Sequence, residues 1–235
     1  MSRGTAMEKY IKEAVKNSYF VLAMSAVSII IGYLLRVFLS RSLSMEDFGL
    51  FYAVSAFMGI FILVRYLGLN QATAKFIPEF LSKKEYGKIK TLIVLVLGAQ
   101  SLTVIAFSAL VFIFKDQITI SLFKASGADA VLMLMVLSFF PSMFFVLFQT
   151  VFQGYQKLRE YALVEPVRIF TTFIFSMLLI SQGAAGVAMA YLIASVFTTL
   201  IFLASFLKLG ILGYKIDLSK KFVVDIFKFS TLYSE

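Results

Sequence analysis

Residues 40–54 read SRSLSMEDFGLFYAV and, after a further apolar run, residues 66–81 read YLGLNQATAKFIPEFL. A charged stretch with Arg41, Glu46 and Asp47 leads into about twenty apolar residues, enough to cross a ~30 Å hydrocarbon layer as helix. Gly68, Leu69, Asn70 and Gln71 break that run. The segment beyond the break is amphipathic, with Phe76, Ile77, Phe80 and Leu81 apolar and Lys75, Lys83 and Lys84 basic. The order predicts a loop, a spanning helix and a surface helix lying against headgroups.

Composition extends this reading to the whole chain. It is 60% apolar with 27 Phe, where soluble domains are roughly 45–50% apolar. Only 15% of residues are charged, against about 25% in soluble chains. Apolar blocks lie near 19–39, 48–68, 92–114, 131–152, 162–181 and 187–207. Strands of a membrane barrel would be about half as long and would alternate. The expected fold is therefore all-α and integral to a membrane, a six-transmembrane-helix bundle over 19–207. An interfacial segment over 1–18 precedes it, with Arg3, Lys9, Lys12 and Lys16 set among apolar residues at near-helical spacing. The block at 19–39 is longer than a signal-peptide core and lacks a small-x-small cleavage site, so it reads as an uncleaved first span. Residues 208–235 form a tail.

The cations orient the bundle. Of 22 Lys and Arg, sixteen lie in the N-terminus, the second and fourth loops and the tail, and three in the other loops. Arg36, Arg65 and Arg168 fall inside spans. Basic connections stay on the cytoplasmic side, which puts both termini there, in a multi-pass protein of the cell membrane. The net charge of +9 falls between apolar blocks, so the expected contact is membrane lipid and not nucleic acid. With no Cys and no His, thiolate nucleophiles, imidazole acid–base chemistry and Cys/His metal sites are unavailable. Carboxylates adjoin only at Glu46-Asp47 among the connections that could host chemistry, so no enzyme activity, cofactor or metal is expected.

Several of these stretches together resemble a known family, the polysaccharide and lipid-linked-oligosaccharide flippases of the MATE-like (MOP) superfamily. The loop from Arg41 to Glu46-Asp47-Phe48-Gly49-Leu50 has that family's form, as does Gly68-Leu69 followed by Lys75-Phe76-Ile77-Pro78-Glu79-Phe80. FQGYQKLREYALVEPVRIF over 152–170 is similar to its approach to the fifth helix. GAAGVAMAYLIASVF over 183–197 matches its Gly-x-x-Gly-x-Ala-x-Ala-Tyr start to the sixth. The resemblance covers most of 19–230 and implies a bundle equivalent to the N-terminal lobe of a MATE-like (MOP) transporter. Relatives have twelve or more helices in two similar bundles. KFVVDIFKFSTLYSE over 221–235 is similar to their lead-in to a seventh helix, so the chain is expected to be the first half only.

Ionisable residues inside spans are the candidate site. A charge at the centre of a membrane helix costs at least ~2.5–3.5 kcal/mol, so Arg36, Arg65, Glu165 and Arg168 are expected to face protein or a watery cavity, or to snorkel. Glu165 and Arg168 can also pair at i, i+3. At 100° per residue, Ser18, Ser25, Ser28, Gly32 and Arg36 share one arc of the first span. Tyr52, Ser55, Gly59 and Tyr66 do so on the second, with Arg65 off that arc, Ser138, Ser142, Gln149 and Gln153 on the fourth, Tyr161, Glu165, Arg168, Thr172 and Ser176 on the fifth, and Tyr191, Ser195, Thr198 and Ser205 on the sixth. Small and hydroxylated stripes also mark plain helix–helix contacts. The phenylalanines of the fourth span, Phe139, Phe140, Phe144, Phe145 and Phe148, read as packing or lipid-facing.

The resemblance implies a glycan on a polyprenyl (di)phosphate carrier as substrate, with basic residues of a central cavity at its anionic head. Arg36 and Arg168 are then expected at the phosphate, through the planar fork that binds it bidentately. Gln149 and Gln153 would lie near the sugar, with Glu165 and Arg65 completing the set. The expected function is a flippase moving a lipid-linked oligosaccharide or polysaccharide precursor by alternating access. The expected partner is the missing C-terminal half, a complementary subunit or a second copy. The rivals are half of a MATE-type multidrug exporter, for which Glu165 is the one embedded carboxylate, a membrane-embedded transferase, and a non-transporting scaffold.

Overall fold

A computed structural model describes the backbone of residues 3–66 and 69–216, and the side chains of 8, 12, 15–61 and 70–216. The Leu67-Gly68 break, the side chain of Arg65 and the segment expected to lead into a seventh helix lie outside these described residues. Among the described residues seven α-helices occur in the order α1 (Arg3–Ser42), α2 (Met45–Tyr66), α3 (Leu69–Ser82), α4 (Tyr86–Ile118), α5 (Ala128–Gly154), α6 (Leu158–Leu179) and α7 (Gly183–Leu207). A π-turn, Thr119–Phe123, prolongs α4, and no strand occurs among the described residues.

Among the described residues four stretches are long and apolar enough to cross a membrane: Val15–Ser42, Tyr86–Phe123, Ala128–Gly154 and Leu158–Leu207. The last has 50 residues, which as one helix would run about 75 Å. It is two helices instead, α6 and α7, folded against each other at a 3₁₀ turn over Ile180–Gln182. Between α1 and the expected interfacial segment there is no break. Neither Gly nor Pro stands between residues 5 and 31, so the helix propagates through residue 18.

The hub is α5, which packs against α2, α3, α4, α6 and α7. α1 is peripheral and lies almost wholly on α6. The apolar interior comes in two parts along α5. One gathers Leu39, Phe51, Val54, Leu132 and Val187 at the end holding the turns at 42–45 and 180–183. The other gathers Ile77, Leu92, Val96, Val151 and Phe202 toward the lysine-rich end. The surface helix expected after residue 69 is docked more firmly than a floating one. Ala72, Thr73 and Ile77 of α3 are fully buried, and Gln100 of α4 donates its amide to Asn70 Oδ1 at 3.1 Å. A side chain on Gly154 would meet Ile77 Cβ at 2.7 Å, so α3 crosses the end of α5 at close range. Beyond α7, Lys90 Nζ donates to the carbonyls of Leu212 and Tyr214, and Tyr214 stacks on Tyr86 at 5.0 Å. The neighbouring Tyr155 phenol has its pKa pushed up by burial.

At the opposite end one carboxylate joins two helix starts. Ser44 Oγ accepts the Asp47 N–H at 3.0 Å and donates to Asp47 Oδ2 at 2.9 Å, a reciprocal cap on α2. Asp47 Oδ1 also accepts the N–H of Ala184 at 3.1 Å, in the first turn of α7. The Glu-Asp-Phe-Gly-Leu and Gly-Ala-Ala-Gly motifs, 137 residues apart, are thus one contact. Asp47→Ala is expected to lose about 1–2 kcal/mol, the range for a lost N-cap, and Asp47→Asn roughly half that. Thermal unfolding followed by circular dichroism in detergent measures both, and equal midpoints for Ala and wild type would contradict the clasp.

Candidate functional site

Between the two apolar cores, polar residues interrupt the bundle. Ser138 and Ser142 lie on α5 either side of Pro141, Glu165 and Arg168 on α6, Tyr191 and Ser195 on α7, and Tyr52 and Ser55 on α2. All eight line one open cavity of about 460 Å³, within the range of ligand sites. Phe51, Phe139 and Phe145 add aromatic walls, and Met58 and Met135 close it toward the first core.

Helical periodicity accounts for the convergence, because residues on one arc of a helix must face one direction. The packing role expected of Phe139 and Phe145 holds, since each is buried in one of the two apolar cores, and both rings also line the cavity. A run of five phenylalanines in ten residues covers every face of a helix, so only the neighbours decide which rings turn inward. The fourth-span stripe also ends earlier than expected: Gln149 reaches the cavity, while Gln153 is exposed and lines neither cavity.

A second cavity of about 400 Å³ runs under α1, lined by Ser25, Ser28 and Gly32 of α1 and Tyr161 of α6. Gln149 and Glu165 belong to both cavities and form the wall between them. Gly32 lets α6 approach: a Cβ there would lie 2.9 Å from Ile169 Cδ1.

The charged groups divide into two arrangements. Arg168 Nε donates to Glu165 Oε2 at 3.0 Å and its Nη2 to Glu165 Oε1, a forked pair within one helix turn. The Arg168 side chain is 22% exposed and that of Glu165 41%, so the pair is partly open to the cavities. The Arg168 guanidinium also lies 5.8 Å from the Phe145 ring centre. Arg36 is exposed and lines neither cavity; it lies 5.3 Å from the centre of the ring of Tyr52, a residue of the first cavity. No ion pair to it occurs among the described residues. Arg65 is on the last turn of α2, with its side chain outside the described set.

The serine hydroxyls are committed in one sense. Ser55 donates to the Phe51 carbonyl at 2.7 Å, Ser138 to Met135 at 2.6 Å, Ser142 to Phe139 at 2.9 Å and Ser195 to Tyr191 at 2.8 Å. No group of three or more His, Cys, Asp or Glu able to hold a metal occurs among the described residues.

Comparison with known proteins bears on family and fold. A model of the family described as polysaccharide biosynthesis protein matches residues 14–233. An uncharacterized membrane protein of Methanocaldococcus jannaschii, MJ1068, is 28% identical over 180 residues, covering 73% of this chain and 36% of its own. Among solved structures, an outward-facing multidrug resistance MATE family transporter of the MOP superfamily superposes with a TM-score of 0.70 at 19% identity. That match covers 94% of this chain and 52% of the transporter. A MOP superfamily transporter from Pyrococcus furiosus, described as having a binding pocket of reverse polarity, superposes with a TM-score of 0.66 at 18% identity. It covers 92% of this chain and 50% of that one. The chain therefore has the MOP transporter fold and spans about half the length of these transporters.

Proposed function

This chain belongs to the polysaccharide biosynthesis protein family, and from that membership we propose that it serves a flippase-type membrane transporter. The cargo is a lipid-linked oligosaccharide or polysaccharide precursor, moved by alternating access. The observation that carries this is the convergence of polar faces of α2, α5, α6 and α7 on one open cavity between two apolar cores. Arg36, exposed beside the cavity residue Tyr52 and without a carboxylate partner among the described residues, offers its fork to an anionic head, while the lipid tail stays in hydrocarbon. Gln149 and the Glu165–Arg168 pair complete the polar wall. An exporter of organic cations is the weaker reading, because Glu165, the carboxylate of this cavity, is already neutralised by Arg168.

A polar cavity open on one side needs a second wall, since bare polar groups facing lipid are costly. A second six-helix bundle supplies it, whether as further chain, a complementary subunit or another copy. The residues 1–235 alone are expected not to flip glycolipid in liposomes, and to do so once assembled with that bundle. A strict monomer flipping lipid-linked sugar at a saturable rate would refute the shared-cavity reading. If no assembly flips it, the flippase reading fails.

Orientation has its own test. The chain contains no Cys, so Ser42→Cys, Ser126→Cys and Ser82→Cys can be labelled without background; Ser44 is spared because it caps α2. A thiol reagent confined outside the cell is expected to label the first two and miss the third. Outside labelling of Ser82→Cys would overturn the cytoplasmic assignment of both ends.

A further inference from the structure

Lysines crowd one end of the bundle, and several of them are committed to partners. Lys83 pairs with Glu79, Lys88 with Glu85 and Lys157 with Glu160. Lys90 is held by the carbonyls of Leu212 and Tyr214. Lys84 and Lys215 differ: both are exposed, and neither side chain has a hydrogen bond or ion pair among the described residues. The two line one open cleft of about 530 Å³, between the turn from α3 into α4 and the segment after α7. Glu85 also lines it, but its charge is met by Lys88 at 2.8 Å. Two uncompensated ammonium groups remain.

The backbone holds this cleft in shape. Lys84 has φ 58°, in the left-handed region, and the Glu85 N–H returns to the Phe80 carbonyl at 2.8 Å, which fixes one lip. The other lip is tied by Lys90 and by the stack of Tyr214 on Tyr86. Apolar surface adjoins the charge: Ile216 and Tyr86 line the cleft and Leu212 lies next to it, all three exposed. Tyrosine, apolar in body and polar at its tip, suits the depth where hydrocarbon gives way to water. Free cations beside exposed apolar side chains complement a molecule that is anionic at one end and hydrocarbon at the other. A free phosphate would use the lysines and leave Leu212 and Ile216 bare.

We propose that this cleft binds the headgroup of an anionic phospholipid, its phosphate drawn to Lys84 and Lys215 and an acyl chain lying against Leu212 and Ile216. The site is separate from both cavities inside the bundle and does not depend on what the transporter carries.

Native mass spectrometry of the purified, delipidated chain in detergent counts lipids as they bind and tests this. Dioleoyl phosphatidylglycerol is expected to bind at least about fivefold more tightly than dioleoyl phosphatidylcholine, whose choline cancels the phosphate charge. Lys84→Asn/Lys215→Gln is expected to erase that preference. Asparagine tolerates the left-handed turn at 84, so the fold should be unharmed; Lys215→Gln alone, with a partial loss, serves if the double variant does not fold. Arg159→Gln/Lys208→Gln removes two exposed cations from the same end but outside the cleft, and is expected to keep the preference. Equal loss in both double variants would reveal a diffuse attraction of charge and overturn the site, as would equal affinity for the two lipids. Excess inorganic phosphate is expected not to displace phosphatidylglycerol; displacement overturns the lipid assignment in favour of a free anion.

Discussion

The Gly186→Ala variant is expected to lose about 2–3 kcal/mol, near the top of the range for overpacking a close contact. A Cβ at that position would lie 2.0 Å from the carbonyl oxygen of Leu179 and 3.0 Å from Gln182 Cβ. The carbonyl cannot rotate away, because it belongs to the last turn of α6 and one 3₁₀ turn separates it from α7. Gly183, three residues earlier, has φ +63° and ψ −145°, a conformation essentially restricted to glycine. A side chain there would also meet the Asp47 carboxylate at 2.8 Å. Opening this turn would therefore strain the Asp47–Ala184 bond as well. Gly98→Ala is the control: nothing lies within 4 Å, and mid-helix alanine is expected to be neutral or to gain up to about 1 kcal/mol. Thermal unfolding in detergent compares them, and a Gly186→Ala midpoint at or above that of the wild type would sink the packing argument.

The Glu165–Arg168 pair gives the second large effect. Arg168→Gln and Glu165→Gln are each expected to lose about 1–2 kcal/mol, roughly tenfold in any equilibrium the site controls. Breaking a fully buried pair costs about 3–5 kcal/mol; the smaller figure reflects the exposure of both side chains to the cavities. Each single change leaves one charge without its counter-ion at membrane depth. The double variant removes both charges and is expected to return to within about 0.5 kcal/mol of the wild type. Unfolding midpoints are read on the same three variants. A double variant no more stable than either single would show that the two residues do not act as a unit.

Much of this is legible in the sequence because a membrane limits what a chain can do. Long apolar blocks must be helices, and on a helix the spacing of Ser138, Ser142 and Gln149, or of Tyr161, Glu165 and Arg168, fixes which residues share a side. The intrahelical pairing of Glu165 with Arg168 needs only their separation of three. Contacts between helices are not legible. Nothing local to Asp47 says that it caps α7, since its partner lies 137 residues away. Nothing local to Phe139 distinguishes it from Phe140, yet one lines the cavity and the other lies in a groove between α4 and α5. The division of the polar space by Gln149 and Glu165 is likewise a property of how α1 rests on α6. The change expected at residue 18, from interfacial segment to span, is one of polarity within a single helix, α1. Helices end at caps, Gly or Pro, not at a change in polarity.

The arrangement of the interior in two parts along α5 has a consequence for biosynthesis. Both parts include side chains of α7, Val187 and Ala188 in one, Phe202 and Phe206 in the other. Neither is complete until the last of these helices has left the ribosome. At about 5–20 residues per second, the interval between α5 and the end of α7 is roughly 3–10 s. Throughout it, Ser138, Ser142 and Gln149 face whatever surrounds the nascent chain. Lipid alone is a poor solvent for them, so the insertion machinery that receives this protein has to retain α5 until α6 and α7 arrive.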